Sequence, residues 1–143
     1  MSLRSVDAIE RTVHKTNEWL KELTEELAIE DREDAWRILK SYLQLLRDEL
    51  TVDEGAQLAA QLPLILRGAF YEGFDPGRRP AKARDRESFL DLFASRARLR
   101  DRDEAARAAE AATRVLRRHV TEGELEDVLS QLPREVTQVL QHG

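Results

Sequence analysis

Residues 31–70 of this chain match residues 101–140 without a single gap. Asp31-Arg32-Glu33-Asp34-Ala35 returns as Asp101-Arg102-Asp103-Glu104-Ala105, and Gln61-Leu62-Pro63 returns as Gln131-Leu132-Pro133. Between these anchors Arg37, Leu46, Arg47, Thr51 and Glu54 meet Arg107, Leu116, Arg117, Thr121 and Glu124, which gives 11 identities over 40 positions. Upstream the match continues by type, with Trp19-Leu20 against Phe89-Leu90, Leu23 against Phe93 and Ile29 against Leu99. One register held this far implies an internal repeat. The units fall at about 17–72 and 87–142, with a linker at about 73–86. Two units are too few for a solenoid, so they are expected to pack on each other as pseudo-symmetric halves of one domain covering 1–143.

The unit is helical. No stretch alternates apolar and polar residues for long, whereas Val6, Ile9, Val13, Thr16, Leu20, Leu23 and Leu27 recur at spacings of three and four. This predicts a first helix from Ser5 to Leu27 with one apolar stripe. A second helix starts at Asp31, whose carboxylate suits a helix N-cap, and carries Ala35, Ile38, Leu39, Tyr42, Leu43, Leu46 and Leu50 on one face. Its counterpart starts at Asp101 and carries Ala105, Ala108, Ala109, Ala112, Val115 and Leu116. Small side chains allow close approach, so helix 101–119 is expected at the centre. Thr51-Val52-Asp53-Glu54 and Thr121-Glu122-Gly123-Glu124 both read as capping boxes that open short helices. Pro63 and Pro133 suit the first turn of a fourth helix in each unit. The expectation is an all-α fold, a helical bundle of about eight helices from two tandem pseudo-symmetric repeats.

Composition narrows the functional classes. The 143 residues include no cysteine, so disulfides, thiolate nucleophiles and thiolate metal sites are excluded. This fits a reducing compartment, and a cytoplasmic location is expected. No apolar run approaches the ~20 residues that span a bilayer, and Met1 to Asp7 lacks the apolar stretch of a signal peptide. The formal net charge is −5. Residues 1–74 hold 9 Lys+Arg against 15 Asp+Glu, and residues 75–143 hold 14 against 13. An acidic balance argues against generic nucleic-acid binding, which rests on neutralising phosphates.

A set of motifs resembles a known family. Asn17-Glu18-Trp19-Leu20, the Asp31–Ala35 run, Ala60-Gln61-Leu62-Pro63, Arg67-Gly68 and Tyr71-Glu72-Gly73-Phe74 are similar to the bacterial family catalogued as domain of unknown function 2267. The likeness covers roughly residues 8–140. The family pattern favours Tyr-Tyr-Glu-Gly-Trp where this chain has Phe70-Tyr71-Glu72-Gly73-Phe74, and the second unit lacks that run. The resemblance implies an all-helical bacterial protein and carries no activity with it.

The Phe70–Phe74 segment is the most distinctive local feature. As a ligand site it would offer Phe70, Tyr71, Glu72 and Phe74, with Arg67 one turn earlier supplying charge. Its plainer reading is a helix end whose aromatics cover the core while Gly73 takes a left-handed conformation. The basic linker with Arg78, Arg79, Lys82, Arg84 and Arg86 reads as a solvated loop, since no aromatic is interleaved for base stacking. Arg107, Arg114 and Arg118 share one helix face, which suits either a recognition helix or pairing with the acidic first half around Glu25, Glu26, Glu30, Glu33 and Asp34. His14 sits four residues from Glu10, as in a surface ion pair; His119 lies near a helix end and His142 in the tail. None has the spacing of a metal site, and no cofactor is called for. Ser41, Ser88, Ser95 and Ser130 lack an elbow motif, and the six glycines form no phosphate loop. A non-enzymatic interaction or structural domain is expected, self-associating as a homodimer or binding another protein. A small-ligand domain with its site near 67–74 is the alternative, and a nucleic-acid regulator the third reading.

Overall fold

The computed structural model describes residues 6–141, and every regular element among them is an α-helix. These are α1 (Asp7–Leu27), α2 (Arg32–Glu49), α3 (Val52–Ala59), α4 (Leu64–Tyr71), α5 (Arg86–Ala97), α6 (Arg102–His119), α7 (Glu122–Gln131) and α8 (Arg134–Gln141). Ser5 and His142, which entered the expectations above, lie outside the described residues. The starts of α2, α3 and α4 each recur 70 residues on, in α6, α7 and α8. α1 and α5 both end on a left-handed residue, Ala28 (φ 54°) and Arg98 (φ 56°).

The helix starts follow local chemistry. The Asp31 carboxylate accepts from the Glu33 N–H at 2.8 Å, and Asp101 accepts from Glu104 N–H at 2.9 Å. Thr51 and Glu54 form the full reciprocal box at the start of α3. The start of α7 departs from expectation. Thr121 Oγ1 accepts from the Glu124 N–H, but the Thr121 N–H goes to Gln61 Oε1 at 2.8 Å rather than to Glu124. A side chain from the turn after α3 thus replaces the glutamate. Pro63 is the N-cap of α4, one position before its first turn, and its carbonyl accepts from Arg67 N–H at 2.8 Å.

One hydrophobic cluster draws residues from all eight helices. At its centre α6 packs against α1, α2, α5, α7 and α8. Ala105, Ala108, Ala109, Ala111 and Ala112 are all buried, so five small side chains let the surrounding helices approach this one closely. Trp19, Tyr42, Phe70, Phe89 and Phe93 fill the space around them.

The first helix buries the expected stripe only over its second half, where Thr16, Leu20 and Leu23 are buried and Leu27 packs against the core. Thr12, Thr16, Trp19, Leu20 and Leu23 are buried, while Val6, Ile9 and Val13 are 60, 58 and 43% exposed. The reason is position along the helix. Ile9 lies about five full turns from Leu27 at 3.6 residues per turn and shares its azimuth. Yet every residue from 6 to 11 is exposed, so this end of α1 stands clear of the core. Thr12 faces the bundle instead, where its hydroxyl accepts the Ile65 N–H at the start of α4 at 2.9 Å.

Candidate functional site

The segment 67–74 ends α4, and its polar groups engage neighbouring helix ends. Arg67 Nε donates to the Ala59 carbonyl at 2.9 Å, and Nη2 to those of Leu62 and Ala60 at 3.3 and 3.4 Å. The guanidinium therefore closes the C-terminal end of α3. Position 137, 70 residues later, carries threonine, and its hydroxyl donates to the corresponding carbonyl, Leu129, at 2.8 Å. Phe70 is fully buried, and its ring lies beside Gly55 of α3. Tyr71 is half-buried and stands edge-on to Phe70 at 5.0 Å, with Phe74 5.8 Å away on its other side. Glu72 is exposed and pairs with Lys40 at 3.0 Å. Gly73 takes φ +71°, the left-handed conformation expected of it, and open space surrounds its α-carbon.

Arg47 at the end of α2 holds this segment, and its neighbours Asp48 and Glu49 tie it to α5 and the linker, a grouping that no sequence motif marked. Arg47 is buried; its Nη1 donates to the carbonyls of Phe70 and Glu72 at 2.9 and 3.0 Å, and Nη2 pairs with Asp48 at 3.0 Å. Asp48 also receives Arg96 of α5 at 3.2 Å. Glu49 Oε2 accepts the Ala83 N–H at 2.8 Å. Burial pushes the Glu49 carboxyl above its ordinary range, a rise partly offset by that N–H, and Oε1 has no partner among the described residues.

The linker is anchored rather than freely solvated. Arg79 Nη2 donates to the carbonyls of Arg47, Asp48 and Leu50 at 2.9, 3.2 and 2.5 Å, closing the C-terminal end of α2. Phe74 lies between two guanidiniums, with Arg47 Cζ 5.3 Å and Arg79 Cζ 5.7 Å from its ring centroid. Ala83 is buried. The one hint in the sequence was the return of Arg47 at position 117.

The corresponding last turn of α6 reads Arg117-Arg118-His119 and faces α1. Arg114 Nε bonds Glu26 at 2.7 Å; Arg118 bonds Glu22 at 3.2 Å and also Glu26. His119 Nε2 lies 2.9 Å from Glu22, and its ring stacks on Trp19 at 4.7 Å. The hydrogen bonds from Arg114 and Arg118 lower the Glu26 pKa below the usual carboxylate value. Arg114 and Arg118, two of the three residues that suited a recognition helix, are thereby committed to the acidic first half, through Glu22 and Glu26. Glu10 and His14 are both exposed and form no ion pair.

No group of three or more metal-ligating side chains occurs among the described residues, and no helix among them is long and apolar enough to cross a membrane. A search of curated proteins found no match to this sequence. The model of the family described as uncharacterized conserved protein (DUF2267) matches residues 16–139, nearly the whole chain, and the protein belongs to that family.

Proposed function

We propose that this protein is a helical interaction domain that self-associates through the exposed end of α1. One observation carries the reading: Val6, Ile9 and Val13 share a face of α1 and remain 60, 58 and 43% exposed. Leu64 and Ile65 of α4, beside Thr12, are 56 and 37% exposed and extend the aliphatic surface. β-Branched side chains on a regular helix make a rigid surface, and a surface that is complementary to itself closes in a two-fold dimer. Arg114 and Arg118, on the helix face that suited nucleic-acid recognition, are engaged in intramolecular pairs, which favours a protein partner over nucleic acid. We further infer that residues 1–143 are one domain of duplicated origin that works in the cytoplasm.

Sedimentation equilibrium tests the dimer. At high micromolar concentration the wild type should sediment as a dimer, and Ile9→Lys combined with Val13→Asp should return it to a monomer with its melting curve intact. A wild type that stays monomeric overturns the reading.

A further inference from the structure

Arg37 and Arg107 stand 70 residues apart, and the fold uses them differently. Arg37 Nε donates to the Ala97 carbonyl at the end of α5 at 2.7 Å, and Nη1 pairs with Asp34 at 3.0 Å. For Arg107 the corresponding acid is Glu104, but Arg100 takes it at 2.5 Å. The corresponding carbonyl, that of Leu27, is not bonded either, so Arg107 is exposed and carries no intramolecular partner among the described residues.

Beside it lies a cavity of about 280 Å³ between the end of α1, α2 and α6. Its floor is apolar, made by Leu27, Ile29, Ile38, Leu99 and Ala108. Space opens there because α6 carries Ala108 where α2 carries Ile38. Arg107 stands at the rim with the Arg100–Glu104 pair, so two guanidiniums meet one carboxylate and the rim favours an anion.

We infer that this cavity binds a small organic monocarboxylate. The apolar body would lie on the five-residue floor, and the carboxylate would take the unpaired fork of Arg107, a planar group suited to two parallel hydrogen bonds. An apolar surface with a small number of placed polar and charged groups is the usual makeup of a ligand site. The volume falls just below the ~300 Å³ at which such sites begin, which selects acids the size of benzoate or hexanoate. The site is separate from the aliphatic end of α1: Val13 and Leu27 are 14 residues apart on α1, about 20 Å at 1.5 Å per residue. Ligand binding and dimerisation can therefore fail independently.

Benzoate and hexanoate, titrated into the ¹⁵N-labelled protein, provide the test, with benzamide and hexanamide as uncharged controls. The acids should shift the backbone resonances of Leu27, Ile29, Leu99 and Ala108, and should bind at least about tenfold more tightly than the amides, the weight of one charge-assisted contact. Arg107→Gln, an exposed substitution, should bring the acids down to the level of the amides and leave the amides unchanged. Resonances unmoved by millimolar acid, shifts confined to another surface, or equal binding of acid and amide by the wild type would each overturn the assignment.

Discussion

The hydroxyl of Tyr42 on α2 lies 2.8 Å from that of Thr113 on α6, in a fully buried position between two helices of 18 residues each. Thr113 already donates its single hydroxyl hydrogen to the Ala109 carbonyl at 2.8 Å. Tyr42 must therefore be the donor and Thr113 the acceptor. This fixes the sense of a polar contact inside a region otherwise lined by aliphatic and aromatic side chains.

The two partners should respond unequally to removal. Tyr42→Phe deletes the donor and leaves a threonine still bonded to Ala109, at a cost of about 1 kcal/mol. Thr113→Val leaves a buried phenol without an acceptor, at a cost of about 1–3 kcal/mol. The double variant should lose less than the sum. Urea unfolding of all four proteins measures this, and strict additivity would contradict the assigned geometry.

Arg67 should behave as a helix cap. Arg67→Met keeps much of the aliphatic stem but abandons the carbonyls of Ala59, Ala60 and Leu62. A loss of about 1–3 kcal/mol is expected, with faster amide exchange at the end of α3. Lysine, a single point donor, should restore only part of it.

Two glycines should respond in opposite directions to alanine. Gly73 sits at φ +71°, where a β-carbon is strained, so Gly73→Ala should destabilise by about 1–2 kcal/mol. Gly55 lies inside α3, and a β-carbon there would meet Phe70 at 3.7 Å, an ordinary contact. Gly55→Ala should therefore stabilise by up to about 1 kcal/mol. Thermal melts of the pair settle both signs.

Acid should loosen the contact between α1 and α6. Glu26 has its pKa lowered in the fold by Arg114 and Arg118, so its contribution is complete above the unfolded value near 4.5 and is lost as pH falls through the lower folded value. Glu49 acts with the opposite sign: its raised pKa favours the fold at low pH, and that contribution fades as pH rises through the folded value. Glu26→Gln should flatten the acid side of the stability profile, and Glu49→Gln should leave that acid-side loss in place. Chemical denaturation from pH 3 to 7 reads both.

Much of the architecture was legible in short-range chemistry. Asp31, Asp101, Thr51 and Pro63 mark helix starts because their side chains act within three residues of themselves. The alanines of α6 announced a central helix by their size alone. Long-range partners were less visible. Nothing local in Gln61 says that it will replace Glu124 at the Thr121 N–H, and nothing local in Arg79 says that it will close α2. The stripe of α1 misled over its N-terminal part because periodicity does not say how far along the helix the core extends. Arg107 is left unpaired by a pairwise choice, Arg100 taking Glu104, which spacing alone does not decide.

The last turns of α2 and α6 carry Arg47-Asp48-Glu49 and Arg117-Arg118-His119 at matching positions. The first triplet grips the connecting loop and the second grips α1. Their charges make the two halves non-interchangeable. With the triplets exchanged, an aspartate and a glutamate would confront Glu22 and Glu26, and an arginine and a histidine would confront Arg96 and the Ala83 amide. Whatever likeness the halves show in outline, each is a dedicated mate for what adjoins it, and neither can stand in for the other.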